Sequence, residues 1–218
     1  MNPKVVILDG MEQQVSIKKV HEPDFSYSGL YTYADYLKWT IEERLELIKG
    51  RIFRMSPAPS VNHQRLSQFL NNQLYNFLTG KPCEVFAAPF DVRLPKNSKK
   101  HKDIYTVVQP DLCVICDPSQ IDALGCIGAP DIVVEILSPS NSRKELKNKY
   151  EVYEESGVKE YWIVSPQDYT FLMYTLTEGK FVPSRLMTEG DVVTSAVLPG
   201  FALDLEALFG SLPPVVVV

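Results

Sequence analysis

The sequence predicts an α/β fold, a mixed β-sheet flanked by helices, with core elements in the order α-β-β-β-α-β. Three observations predict it. HQRLSQFLNNQLYNFLTG (63–80) has Leu66, Leu70, Leu74 and Phe77 at helical spacing and a stop at Gly80. The runs 83–95, 103–117 and 130–138 are apolar almost throughout, as central strands covered on both faces are. NSRKELKNKYEVYEESG (141–157) then reads as a helix before the β-rich VKEYWIVSP, and helices alternating with such strands define the class.

Taken in order, residues 1–30 show no strong period and read as an N-terminal extension. A single domain follows over 31–210, and 211–218 form a C-terminal tail whose PPVVVV could add an edge strand. YADYLKWTIEERLELIKG (33–50) looks helical and turns over at Gly50. RIFRMSPAPS is a short strand and a proline-punctuated loop. After the three apolar strands, Asn141 or Ser142 caps the 141–157 helix and Gly157 ends it. VKEYWIVSP (158–166) and YTFLMYTL (169–176) suggest a hairpin, and the remainder reads as further strand with a short terminal helix.

The gross numbers bound the function. A chain of 218 residues, 45% hydrophobic and 22% charged, suits one soluble domain. A net charge of −5 argues against a nucleic-acid coat protein but not against an enzyme with a local basic patch. KNSKKHK (96–102) is candidate patch material, and equally a solvated loop. MNPKVVILDG lacks the pattern of a signal peptide, and no apolar run is long enough to span a membrane, so a cytoplasmic location with reduced thiols is expected for Cys83, Cys113, Cys116 and Cys126. Cys113 and Cys116 form a CxxC, but on a strand they point to opposite faces and cannot share a zinc ion.

Two PD dipeptides introduce apolar strands: QPDLCVI, with Asp111, and APDIVVEIL, with Asp131 and Glu135. A buried carboxylate must be paired or hold a metal. If the second and third strands are neighbours, Asp111 and Glu135 meet on one face, and such oxygen ligands suit Mg²⁺ or Mn²⁺. Metal-assisted phosphodiester cleavage also needs a group to orient water or balance phosphate charge. The helix after Glu135 offers Lys144, Lys147 and Lys149; only Lys149 flanks the expected buried stripe of Leu146, Tyr150 and Tyr153, from which it can snorkel towards the acids.

These stretches resemble the PD-(D/E)xK nuclease superfamily and, within it, the Uma-two family of restriction-endonuclease-like proteins. The resemblance lies in LELIKGRIFRMSPAPSVNHQRLSQFL, VVQPDLCVI and APDIVVEILSPSNSRKELKNKYEVYEESGVKEYWIVSP, and covers roughly residues 33–205. It implies a restriction-endonuclease-like core with Asp111 and Glu135 as metal-binding acids. The superfamily lysine, two residues after the glutamate, is replaced by Leu137, which again singles out Lys149 on the following helix. Glu145 stands where Asp is expected, and Ser165 where YWIVDP would carry Asp, read as a turn residue. Glu46 matches a family position, an additional acid near the metal or a plain surface ion pair. His63 opens its helix facing inward, a water or phosphate contact or a satisfied histidine.

Among other polar positions, Gln109 shares a face with Asp111 and could bind a ligand water or substrate. Asp131 is a second acid behind the site or a turn former. Asp91 could approach Asp111. Tyr150, Tyr153, Tyr161 and Trp162 read as packing. No GxSxG surrounds Ser138 and no glycine-rich phosphate loop exists. The leading expectation is a Mg²⁺- or Mn²⁺-dependent endonuclease acting on DNA, with a homodimer supplying paired sites for a double-strand cut. The alternatives are a catalytically silent binding or assembly module on the same fold and a metal hydrolase acting on RNA.

Overall fold

The computed structural model describes residues 23–26, 28–40, 43–55, 59–138 and 143–213. Most of the expected extension (1–22), the Asn141 or Ser142 cap and residues 214–218 of the expected tail lie outside the described residues.

Helix α1 (Tyr33–Tyr36) is followed by a hairpin, β1 (Leu45–Ile48) and β2 (Arg51–Arg54). The helical reading of 33–50 therefore holds only for one turn. All four residues of LELI are buried, an outcome a strand between two partners achieves and a surface helix does not. Lys49 and Gly50, with φ of 52° and 76°, make the two-residue turn that matches strand twist.

The amphipathic helix is α2 (Val61–Leu78), capped by Ser60, whose hydroxyl accepts from the His63 N–H. The first two long strands expected from the sequence are each divided. One gives β3 (Glu84–Ala87) and β4 (Val92–Arg93), broken near Pro89; the other gives β5 (Val107–Val108) and β6 (Leu112–Ile115), broken at Pro110. A proline cannot donate to a ladder, and at each break the chain steps from one sheet to another. The chain continues through β7 (Ile121–Asp122), β8 (Gly125–Ile127), β9 (Ile132–Ile136), α3 (Arg143–Ser156), β10 (Glu160–Ser165) and β11 (Thr170–Thr177). Then come β12 (Lys180–Pro183), β13 (Val192–Thr194), β14 (Ala202–Asp204) and α4 (Leu205–Gly210). The β10–β11 hairpin is the one the sequence suggests. Ser165 sits at its turn, bonded to Asp168.

The central sheet runs β12-β11-β10-β9-β6-β3, and a second runs β2-β1-β5-β4-β8-β7. In the central sheet β9 pairs antiparallel with β6 and parallel with β10, the parallel pair joined across α3. Ile132, Val134 and Ile136 face a core built with α2 and α4; Val133 faces a core built with α3 and residues of the second sheet. Fully burying each such aliphatic side chain is worth about 1.5–3 kcal/mol. The fold is thus the expected mixed sheet flanked by helices, in the α2-β3-β6-β9-α3-β10 order.

The cysteines depart from expectation. The β3–β6 register, continued one residue past Glu84↔Ile115, sets Cys83 opposite Cys116, and the two form a disulfide. Cys113 points to the other core, as its spacing requires, and is a buried free thiol like Cys126. Among the described residues no helix is long and apolar enough to cross a membrane.

Candidate active site

Strand alternation explains how a doubly covered strand carries an acid. Val134 and Ile136 of β9 point to α2, so Glu135 points with Val133 to α3. The β6–β9 register, continued one residue beyond Leu112↔Val134, sets Asp111 across from Glu135. The Ile136 N–H donates to Asp111 Oδ2 at 2.7 Å, which fixes that carboxylate against the strand carrying its partner.

Lys149 reaches both acids of its neighbourhood. Its ammonium lies 2.9 Å from Glu135 Oε1 and 3.1 Å from Glu46 Oε1, with only 3% of the residue exposed. The buried face of α3 is Lys149, Val152 and Tyr153, while Leu146 and Tyr150 are half-buried. The stripe is thus rotated from the expected one, and Lys149 stands inside it. Lys147 is exposed, 3.9 Å from Glu151; nothing is described of the Lys144 side chain. One turn after Lys149, the Tyr153 hydroxyl donates to Glu135 Oε1 at 2.8 Å. Its helical spacing from the lysine was the available signal, but a tyrosine in an apolar stripe reads as packing.

Charge here is set by burial and neighbours. Burial pushes the Glu135 carboxyl up to about 7; Lys149 pulls it down, while Asp111 and Glu46 push it further up. Burial disfavours the charged form of Lys149, but Glu135 and Glu46 outweigh it and hold the ammonium well above the ordinary lysine range. Lys149 is therefore a cation at neutral pH, not a free base.

Glu46, 1% exposed, is no surface ion pair. Its Oε1 pairs with the Lys149 ammonium and accepts from the Gln109 N–H at 2.8 Å. The Gln109 side chain accepts from Arg44 at 2.8 and 3.0 Å and donates to Asp91 at 2.8 Å and to the Tyr36 hydroxyl at 3.3 Å. Both ends of that amide are engaged by protein, so the water or substrate contact expected of it is replaced by a bracing role. Asp91 joins the network through Gln109 and Tyr33, not through Asp111; burial raises its pKa despite those hydrogen bonds.

His63, 7% exposed, places Nε2 3.2 Å from Asp111 Oδ1, while Nδ1 is buried with no hydrogen-bond partner. It is positioned to orient Asp111. Asp131 lies at the opposite end of β9, where it accepts from the Cys116 N–H and pairs with Lys159 at 2.6 Å, so it serves the strand's start and not the site. The lysines of 96–102 are exposed, and Lys96 pairs with Glu155 near the C-terminal end of α3.

The donor set can be tested for a divalent cation. Asp111 Oδ2 and Glu135 Oε1 are taken by protein donors, whereas, among the described residues, Asp111 Oδ1 meets only His63 and Glu135 Oε2 has no hydrogen-bond partner. Two hard oxygens on facing strands fit Mg²⁺ or Mn²⁺, which keep several waters. Among the described residues no three His, Cys, Asp or Glu side chains form a cage, as such an ion does not require.

The mixed sheet flanked by helices thus sets two carboxylates on facing strands with a buried lysine against one of them. Residues 33–206 match the family model described as "Putative restriction endonuclease", Uma2, and the chain belongs to that family. A solved structure described as a "putative nuclease belonging to DUF820" from Anabaena variabilis superposes with a TM-score of 0.64 at 21% identity, covering 83% of this chain and 98% of that one, a likeness of fold. An uncharacterised Synechocystis protein, slr1290, is 29% identical over 148 residues, 66% of this chain and 73% of that protein.

Proposed function

We propose that the protein is a divalent-metal-dependent endonuclease that hydrolyses phosphodiester bonds in DNA. The observation that carries the reading is the cationic Lys149 on Glu135, across the strand pair from Asp111, in a family whose model is described as "Putative restriction endonuclease". Asp111 Oδ1 and Glu135 Oε2 are the oxygens that would hold Mg²⁺ or Mn²⁺. A bound ion of that kind polarises the scissile phosphate and lowers the pKa of a coordinated water.

The chain's own groups do the rest. Lys149 donates to Glu135 and pairs with Glu46, and its positive charge would offset the negative charge that grows on the phosphate. Glu46 anchors the ammonium, and Gln109 braces Glu46 through its N–H. His63 orients Asp111 and is not assigned the phosphate contact, because its second nitrogen is buried. A homodimer would supply paired sites for a double-strand cut.

Conversion of supercoiled plasmid to nicked or linear DNA in Mn²⁺ tests this reading. Wild type should cleave, D111A should not, and undiminished cleavage by D111A overturns it. Single-stranded RNA in parallel tests the RNA alternative, and a folded chain that binds metal but cuts neither polymer returns the silent module.

A further inference from the structure

The two tyrosines beside Glu135 differ in one respect. Tyr153 and Tyr161 pack in the same core, ring centroids 5.1 Å apart, and both are fully buried. The Tyr153 hydroxyl donates to Glu135 Oε1 at 2.8 Å, whereas the Tyr161 hydroxyl is buried without a hydrogen-bond partner. We propose that Tyr153 is a positioning residue that selects which oxygen of Glu135 meets the metal ion, an inference that rests on the metal-dependent reading above.

The geometry carries it as follows. A carboxylate rotates about its last side-chain bond unless both oxygens are distinguished, because that torsion is soft. Lys149 alone distinguishes them less sharply, since an ammonium held at Glu46 has three equivalent protons and can donate to whichever Glu135 oxygen turns towards it. Adding the Tyr153 hydroxyl to the same atom loads Oε1 with two donors from one face of α3 and leaves Oε2 without a hydrogen-bond partner among the described residues. The phenol ring cannot follow a rotating carboxylate, being fixed between Tyr161 and the rest of the core. Donors behind a ligating carboxylate commonly set metal affinity by 10- to 100-fold.

The comparison of Y153F with Y161F separates positioning from packing, because each removes one oxygen from the same core and keeps the ring. The readout is Mn²⁺ affinity by calorimetry on the full chain, with a thermal melt of each variant. The expected result is a loss of roughly tenfold or more in Y153F, with Y161F matching wild type. Y153F binding Mn²⁺ as tightly as Y161F overturns the inference and leaves the nuclease reading standing. A folded wild type without Mn²⁺ affinity overturns both. If Y153F melts too early for calorimetry, an electron-resonance titration of Mn²⁺ at low temperature reads the same affinity difference.

Discussion

Two glutamates are buried in the central sheet, on adjacent parallel strands, and they are spent differently. Glu160, 0% exposed, opens β10 and has both oxygens filled: Oε1 accepts from the Ala196 and Val197 N–H groups, Oε2 from the Trp162 indole and the Ser195 hydroxyl. Glu135, 8% exposed, sits near the other end of the sheet and faces the other core, with one oxygen loaded and one left over. A carboxylate that holds a loop to a sheet is saturated. On the proposed metal-dependent reading, Glu135 keeps one oxygen in reserve for a ligand and tolerates a perturbed charge state to do so.

The largest effect expected from breaking this comparison is at Glu160. Glu160→Leu takes the acceptor from four donors, two of them buried at Trp162 and Ser195, and should cost about 3–5 kcal/mol in urea denaturation, with Mn²⁺ affinity unchanged in the protein that remains folded. Lys149→Met removes the one cation between two buried acids. It should cost about 2–4 kcal/mol, below the upper end for broken buried pairs because Glu135 can take up a proton; a cost below that of a surface substitution would mean the pair is solvated.

A smaller effect is expected from pH. The folded state keeps a proton on Glu135 up to about 7, whereas the unfolded chain releases it near the ordinary glutamate value. The folded state therefore binds more protons in that window, and its stability falls as pH rises from about 4.5 to 7. Relative to Glu135→Gln, which has no such proton, wild type should lose roughly 1–3 kcal/mol across the window, measured by denaturation at several pH values. Parallel curves for the two proteins would contradict the raised pKa. The smallest effect is at Lys147, exposed on the opposite side of α3 from Lys149: Lys147→Ala should change stability by less than about 0.5 kcal/mol and leave Mn²⁺ binding intact.

The sequence made Asp111 and Glu135 legible, because an acid within a doubly covered strand has few reasons to be there. It did not distinguish them from Glu160, which stands in the same kind of run; the difference lies in residues 195–197, distant in sequence and close in space. Lys149 was legible from helical periodicity alone, although the buried face turned out to be rotated. The strand at 45–48 was not, because LELI among strong helix formers carries a helical local preference that pairing with β2 and β5 overrides. Pro89 and Pro110 were visible, yet the change of sheet at each is a property of the topology. The Cys83–Cys116 bond was hidden for the same reason: only the β3–β6 register brings the two together.

The central claim is that Asp111 and Glu135 hold an unspent pair of oxygens for a divalent cation. Calorimetry with Mn²⁺ on wild type, Asp111→Ala and Glu135→Ala tests it most directly. The account predicts binding near one ion per chain in wild type and its loss in both variants. Binding that survives either substitution, or a folded wild type that binds none, would contradict it.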